Sequence, residues 1–177
     1  MLFDYFLKYV NRSCMYTKKQ KTELYIIFLL IAYAIEIFTF LAAKKGMISL
    51  YVTYHKPEWA FPLHWLVPIW TLLYTLIGMA GAKIWIKRKT PIRKHALSAW
   101  VVVMVLDAIW PIVFFYIPVP ILTPILFSIL LIALLVLLFN SFLVSRYAGY
   151  LIIPFTFMIL YKVFFHWTFF ILNIQLI

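Results

Sequence analysis

Four ionisable side chains stand inside otherwise apolar runs of this chain: Glu36, Asp107, Lys162 and His166. A charge at the centre of a bilayer costs roughly 2.5–3.5 kcal/mol on insertion scales, so such residues are functional candidates by default. Aromatic side chains form the second candidate set. Trp70 and Tyr74 are four positions apart, as are Trp110 and Phe114, so on helices each pair shares a face. If those faces meet, they form a slot for a flat apolar ligand, since rings prefer offset or edge contacts. Packed otherwise, they are simply core. Other chemistry is thin. There is no His-Glu-x-x-His, no Gly-x-Ser-x-Gly and no phosphate-binding Gly loop. The single cysteine, Cys14, excludes a multi-thiolate metal site and a disulfide framework. His55, His64 and His95 do not form a ligand set, so no metal is expected.

The elements that must position these residues are written in the composition. Hydrophobic types make up 67% of the 177 residues and charged types 12%, against about 45–50% and 25% in soluble domains. That excludes a cytosolic enzyme. Five stretches reach the roughly 20 apolar residues a spanning helix needs. They run over about 24–42, 64–86, 95–115, 121–143 and 150–172. Their continuous apolar character excludes a β-barrel, which would alternate along each strand. The first stretch is too long for a signal-peptide core and contains Glu36, so it reads as a retained span. The expected fold is an all-α integral membrane bundle of five helices, occupying residues 24–177.

Lys44-Lys45-Gly46 is expected to stop the first span and open a loop over about 43–63. With Tyr54, Trp59 and Phe61, this loop reads either as a lid folded on the bundle or as interfacial aromatic anchors. Residues 1–23 mix apolar and basic types and read equally as a surface-lying amphipathic helix or a disordered basic tail. Sixteen Lys and Arg against five acidic residues give a net charge of +11. Beside so much apolar sequence, that excess points to anionic lipid and topology control, not to nucleic acid. Eleven basic residues fall in the amino-terminal segment, the Lys87–Lys94 loop and the last loop, against three in the first loop. The amino terminus is therefore expected in the cytoplasm and the carboxyl terminus outside.

The second span contains Pro68-Ile69-Trp70-Thr71-Leu72-Leu73-Tyr74, followed by Gly78 and Ala80. This resembles the P-x-W-T-L-L-Y-x-x-x-G-x-A signature of the translocator protein / tryptophan-rich sensory protein (TspO/MBR) family. Lys56-Pro57 and Pro62 resemble the Pro-rich segment preceding that signature. Trp110 with Phe114-Phe115 resembles the third-helix N-x-x-W-S-x-x-F-F pattern, and Ala148 with Pro154-Phe155 the opening of the fifth helix. Leu172-Asn173 resembles its close. The resemblance runs over about residues 25–174 in the right order.

It implies binding of a tetrapyrrole such as protoporphyrin or haem, or of a sterol-like hydrophobe, for transport, sensing or regulation. The tetrapyrrole would be a ligand and not a required cofactor. An enzyme that degrades porphyrin with light and oxygen is the alternative in that family. Outside it stands a sterol-isomerase-like bundle with Glu36 and Asp107 facing one cavity. The implied ligand-binding residues are Trp70, Tyr74, Asp107, Trp110, Phe114, Met158, Lys162 and His166; no catalytic residue is assigned. Several depart from the family pattern: Asp107 replaces Asn, Met158 Trp, Lys162 Ala and His166 Asn. A homodimer is a family expectation, matched by one small-x-x-x-small pair, Gly78 and Ala82.

Counted from the inner helix ends, Glu36, Asp107 and Lys162 lie at a common depth of about 18 Å. Trp70, Trp110 and His166 lie about one turn farther out. The opposite charges and shared depth predict an Asp107–Lys162 ion pair, with Glu36 as rival partner, because an unpaired buried charge is strongly unfavourable. The charge asymmetry gives a direct test of topology. A cysteine at position 90, with Cys14 replaced by Ser, should resist labelling from outside intact cells. Labelling there reverses the orientation.

Overall fold

The computed structural model describes residues 16–53, 55–117 and 119–174. Five helices account for nearly all of them: α1 Lys18–Thr53, α2 Leu63–Ile86, α3 Pro91–Tyr116, α4 Leu122–Val144 and α5 Arg146–Asn173. Each contains a stretch long and apolar enough to cross a membrane. They close into a ring in the order α1–α2–α5–α4–α3, and α2 also touches α3 directly. The connection over 87–90 and the turn at Ser145 lie at one end of the bundle. The loop over 55–62, Ile117 and the turn over 119–121 lie at the other.

Two helix starts have clear local causes. Before α1, the Thr17 amide donates to Gln20 Oε1 (2.9 Å) and the Gln20 amide to Thr17 Oγ1 (3.3 Å), a reciprocal capping box. At α3, Thr90 Oγ1 accepts from the Arg93 amide at 3.2 Å, and Pro91 takes the first helical position, where no amide is needed. α3 continues through Pro111 to Tyr116.

The first span is longer than expected at both ends. α1 holds 36 residues, roughly 54 Å at 1.5 Å each, against a hydrocarbon core of about 30 Å. Lys44-Lys45-Gly46 marks where hydrocarbon should end, but charged residues need not end a helix. Gly46 serves packing: a Cβ there would overlap the Phe115 ring. Tyr116 also donates its hydroxyl to the Ala42 carbonyl at 3.3 Å. The expected 43–63 loop therefore shrinks to the stretch after Thr53. Residues 1–15 and Tyr54 lie outside the described residues, so the amino-terminal reading is untouched except that Lys18–Glu23 belong to α1.

Close approach of α1, α2 and α3 depends on small residues. Gly81 faces Phe28 and Trp100, and a Cβ there would lie 2.6 Å from one ring and 2.9 Å from the other. Those rings meet edge-on at 5.1 Å, and the Trp100 indole N–H donates to the Ile77 carbonyl at 3.0 Å. Gly78 packs on Ala32 and the Phe28 backbone, and Ala82 is fully buried. This small pair is thus spent within the chain's own bundle and does not offer a face to a second copy. Gly81→Val should cost about 1–3 kcal/mol by overpacking, read as a lowered thermal midpoint in detergent. An unchanged midpoint would remove Gly81 from this account.

Candidate functional site

The residues singled out by sequence converge from α2, α3 and α5. Tyr74 on α2 is buried, and its hydroxyl donates to Asp107 Oδ2 on α3. Asp107 is fully buried, and its other carboxyl oxygen has no hydrogen-bond partner. Lys162 on α5 is 9% exposed. Its Nζ lies 5.1 Å from the centroid of Trp110, 5.7 Å from Trp70 and 5.9 Å from Phe165. Such desolvated cation–ring contacts are worth up to about 2 kcal/mol.

The expected Asp107–Lys162 ion pair is not formed: among the described residues no carboxylate oxygen lies within 4 Å of the Lys162 ammonium. Each of the two has other neighbours. Tyr74 reaches Asp107 from across the α2–α3 contact, and the lysine's flexible stem delivers its ammonium to the ring layer. Glu36 is not the partner either; its Oε1 accepts from Thr71 Oγ1 on α2 at 2.5 Å.

The aromatic layer is built differently from a simple slot. Trp70 contacts Tyr74 at 5.9 Å and Phe155 at 5.9 Å. Trp110 contacts Phe114, Phe115 and Phe127. Among the described residues no ring contact joins Trp70 to Trp110; the Lys162 ammonium stands within reach of both. His166 is 2% exposed, lies parallel to Phe127 at 4.5 Å, and meets Phe114 edge-on at 4.9 Å. Neither of its ring nitrogens has a hydrogen-bond partner. Met158 is buried in the core between these layers and the Lys87–Lys94 end.

The short loop docks on α5. The Phe61 amide donates to the Tyr161 hydroxyl at 3.0 Å, and the Phe61 and Trp59 rings meet Tyr161 at 4.8 and 5.6 Å. At its start, the His55 amide donates to Asn173 Oδ1, while Asn173 Nδ2 donates to the His55 carbonyl, both at 2.9 Å. This two-point clamp gives a structural job to Asn173. Among the described residues no three His, Cys, Asp or Glu side chains come together to hold a metal.

Sequence reasoning did not assign Phe127, Phe155 and Phe165 to the site. Phe155 stands beside Pro154 in a motif already noted, which was a usable signal. Phe127 lies in a uniformly apolar span where no single residue stands out. Phe165 is one of several rings on α5.

A bundle of five apolar helices carrying buried ionisable groups defines an integral, multi-pass membrane protein. The model of the TspO/MBR family matches residues 26–172, and the chain belongs to that family. No individually curated protein matches it.

The Tyr74–Asp107 bond gives a test of the buried polar centre. Tyr74→Phe leaves the carboxyl without its donor and should cost about 1–3 kcal/mol, whereas removing both partners for apolar groups can be nearly neutral. Tyr74→Phe/Asp107→Leu should therefore recover much of the loss of either single change in thermal unfolding. Purely additive losses would refute the coupling.

Proposed function

We propose that this protein binds an anionic tetrapyrrole, such as protoporphyrin or haem, within the bundle beneath the 55–62 loop, for transport or sensing. The observation that carries the reading is the Lys162 ammonium, buried among rings with no carboxylate within 4 Å. A buried cation between indoles suits a ligand that is both a flat π-system and a carboxylate. The planar macrocycle would stack against Trp70 and Trp110, and a propionate would take the ion-pair position that Asp107 leaves empty. Phe114 and His166 would border the macrocycle on the α4 side. Asp107, fixed by Tyr74, would stay beneath the ligand as part of the floor. Trp59 and Phe61 would act as the lid, since they close on α5 through Tyr161 from a loop outside any helix, whose contacts can open without unfolding one. A sterol carries no anionic group to answer Lys162 and is the less suitable ligand.

The same reading assigns photodegradation a minor place. Met158 stands where the family pattern has Trp, and a thioether does not replace an indole as a radical donor. The loop face would lie outside and the Lys87–Lys94 face in the cytoplasm, following the charge asymmetry.

Titration of the purified protein with protoporphyrin should quench tryptophan fluorescence, and Trp70→Phe or Trp110→Phe should weaken binding. Lys162→Met should weaken the free acid by roughly ten- to a hundredfold, the worth of a hydrogen bond to a charged group at about 1.5–3 kcal/mol. It should leave the dimethyl ester of protoporphyrin nearly unaffected. Equal loss for acid and ester would remove Lys162 from carboxylate recognition. Absence of saturable binding by either would overturn the proposal.

A further inference from the structure

The Lys87–Lys94 end of the bundle carries a feature that the aromatic layers do not use. An open groove of about 940 Å³ extends from the connection between α2 and α3 along the outer side of α3. Its mouth holds three cations, Lys89, Arg93 and Lys94. Farther along, the lining turns apolar at Leu97, Val101 and Val102. From Leu97 to Val102 the helix advances roughly 7–8 Å, so the apolar part is long enough to hold the first few methylenes of an acyl chain below a headgroup.

Arg93 is the unusual residue. It is only 7% exposed, its guanidinium carbon lies 5.2 Å from the Trp85 ring centroid, and its Nε has no hydrogen-bond partner. A buried donor left unsatisfied is costly, and a desolvated cation needs an anion. No acidic residue lines the groove. Of the five acids in the chain, Glu36, Asp107 and Glu58 lie deeper in the bundle or at its other end. Glu23 is the one acid of this end among the described residues, and it is not in the lining. The α3 amino terminus adds its positive dipole end, although Pro91 has no amide and the Arg93 amide is already given to Thr90. The side-chain charges therefore dominate.

We propose that this groove is a binding site for an anionic phospholipid, with the headgroup phosphate on Arg93, Lys89 and Lys94 and one acyl chain along Leu97, Val101 and Val102. The chemistry selects against the alternatives. A zwitterionic lipid would bring its own cation into a cluster of three. A free phosphate would satisfy the mouth but leave the apolar length uncovered. Basic pockets between spanning helices are suited to anionic headgroups in general.

The test uses the full chain in neutral detergent, exposed to an equal mixture of dioleoyl phosphatidylglycerol and dioleoyl phosphatidylcholine, with retained lipid read by native mass spectrometry. The parent should retain phosphatidylglycerol over phosphatidylcholine by about tenfold. Arg93→Gln, and separately Lys89→Gln/Lys94→Gln, should abolish that preference. Val101→Trp, which fills the groove and keeps every charge, should lower phosphatidylglycerol retention too. Equal retention of the two lipids by the parent overturns the proposal. So does a preference that survives the Lys89→Gln/Lys94→Gln change and Val101→Trp, a readout that holds even if Arg93→Gln does not fold. Complete displacement of the lipid by an equal concentration of inorganic phosphate would also overturn it, since the site would then read phosphate alone.

Discussion

Hydrocarbon offers no hydrogen-bond partners, and every polar group that enters it has to be satisfied from within the protein. The backbone meets this demand by being helical almost everywhere. Short polar side chains meet it by turning back on their own helices. Thr75 donates to the Thr71 carbonyl at 2.7 Å, Ser128 to Pro124 at 2.8 Å, and Asn140 to Val136 at 2.8 Å. Each bond hides a hydroxyl or amide that would otherwise face lipid. Of the groups that cannot be satisfied locally, Tyr74 and Asp107 find each other across two helices, whereas the second Asp107 oxygen and both His166 nitrogens are left without a hydrogen-bond partner.

The buried polar centre is organised by competition for partners. Asp107 has a tyrosine hydroxyl within reach across α2 and α3, and the bond binds those two helices at mid-depth. Lys162 has a long apolar stem and three rings around its tip, so burial of the stem and cation–ring attraction act together. His166 is buried against the rings of Trp110, Phe114, Phe127 and Phe165, with neither nitrogen engaged. The result is a layer that is mostly aromatic but holds one cation, above a carboxyl group tied to α2. The proposed tetrapyrrole binding rests on this arrangement.

The ring of helices depends on a different economy of space. Four glycines serve the whole chain, and three of them lie where a ring from another element of the bundle, or from the preceding helix, presses on the backbone. Gly46 meets Phe115, Gly81 meets Phe28 and Trp100, and Gly149 meets Phe142. In lipid there is no hydrophobic drive between helices, so contact has to come from close packing. Large rings set against bare backbone provide it. The two ends of the bundle then diverge in chemistry: one is closed by a short aromatic loop clamped to Asn173, the other is open, basic and grooved.

The number of spans and their approximate limits were legible from the sequence, because an apolar run of about 20 residues has one stable solution in a bilayer. The family was legible too, from the ordered Pro68–Ala80 motif and its weaker companions. The candidate residues Tyr74, Asp107, Trp110 and Lys162 could be singled out because ionisable and indole side chains are conspicuous against leucine. The extension of α1 beyond Lys44 was not legible, since charges mark the edge of the hydrocarbon and not the end of a helix. Nor were the partners: depth along separate helices places Asp107 and Lys162 at one level, but says nothing about rotation about each helix axis. That rotation, set when the helices pack, gave Asp107 to Tyr74 and Lys162 to the tryptophans. Sequence determined which residues enter the membrane and how deep they lie; only tertiary packing decided which of them meet, because a side chain's partners depend on the orientation of helices that share no local sequence.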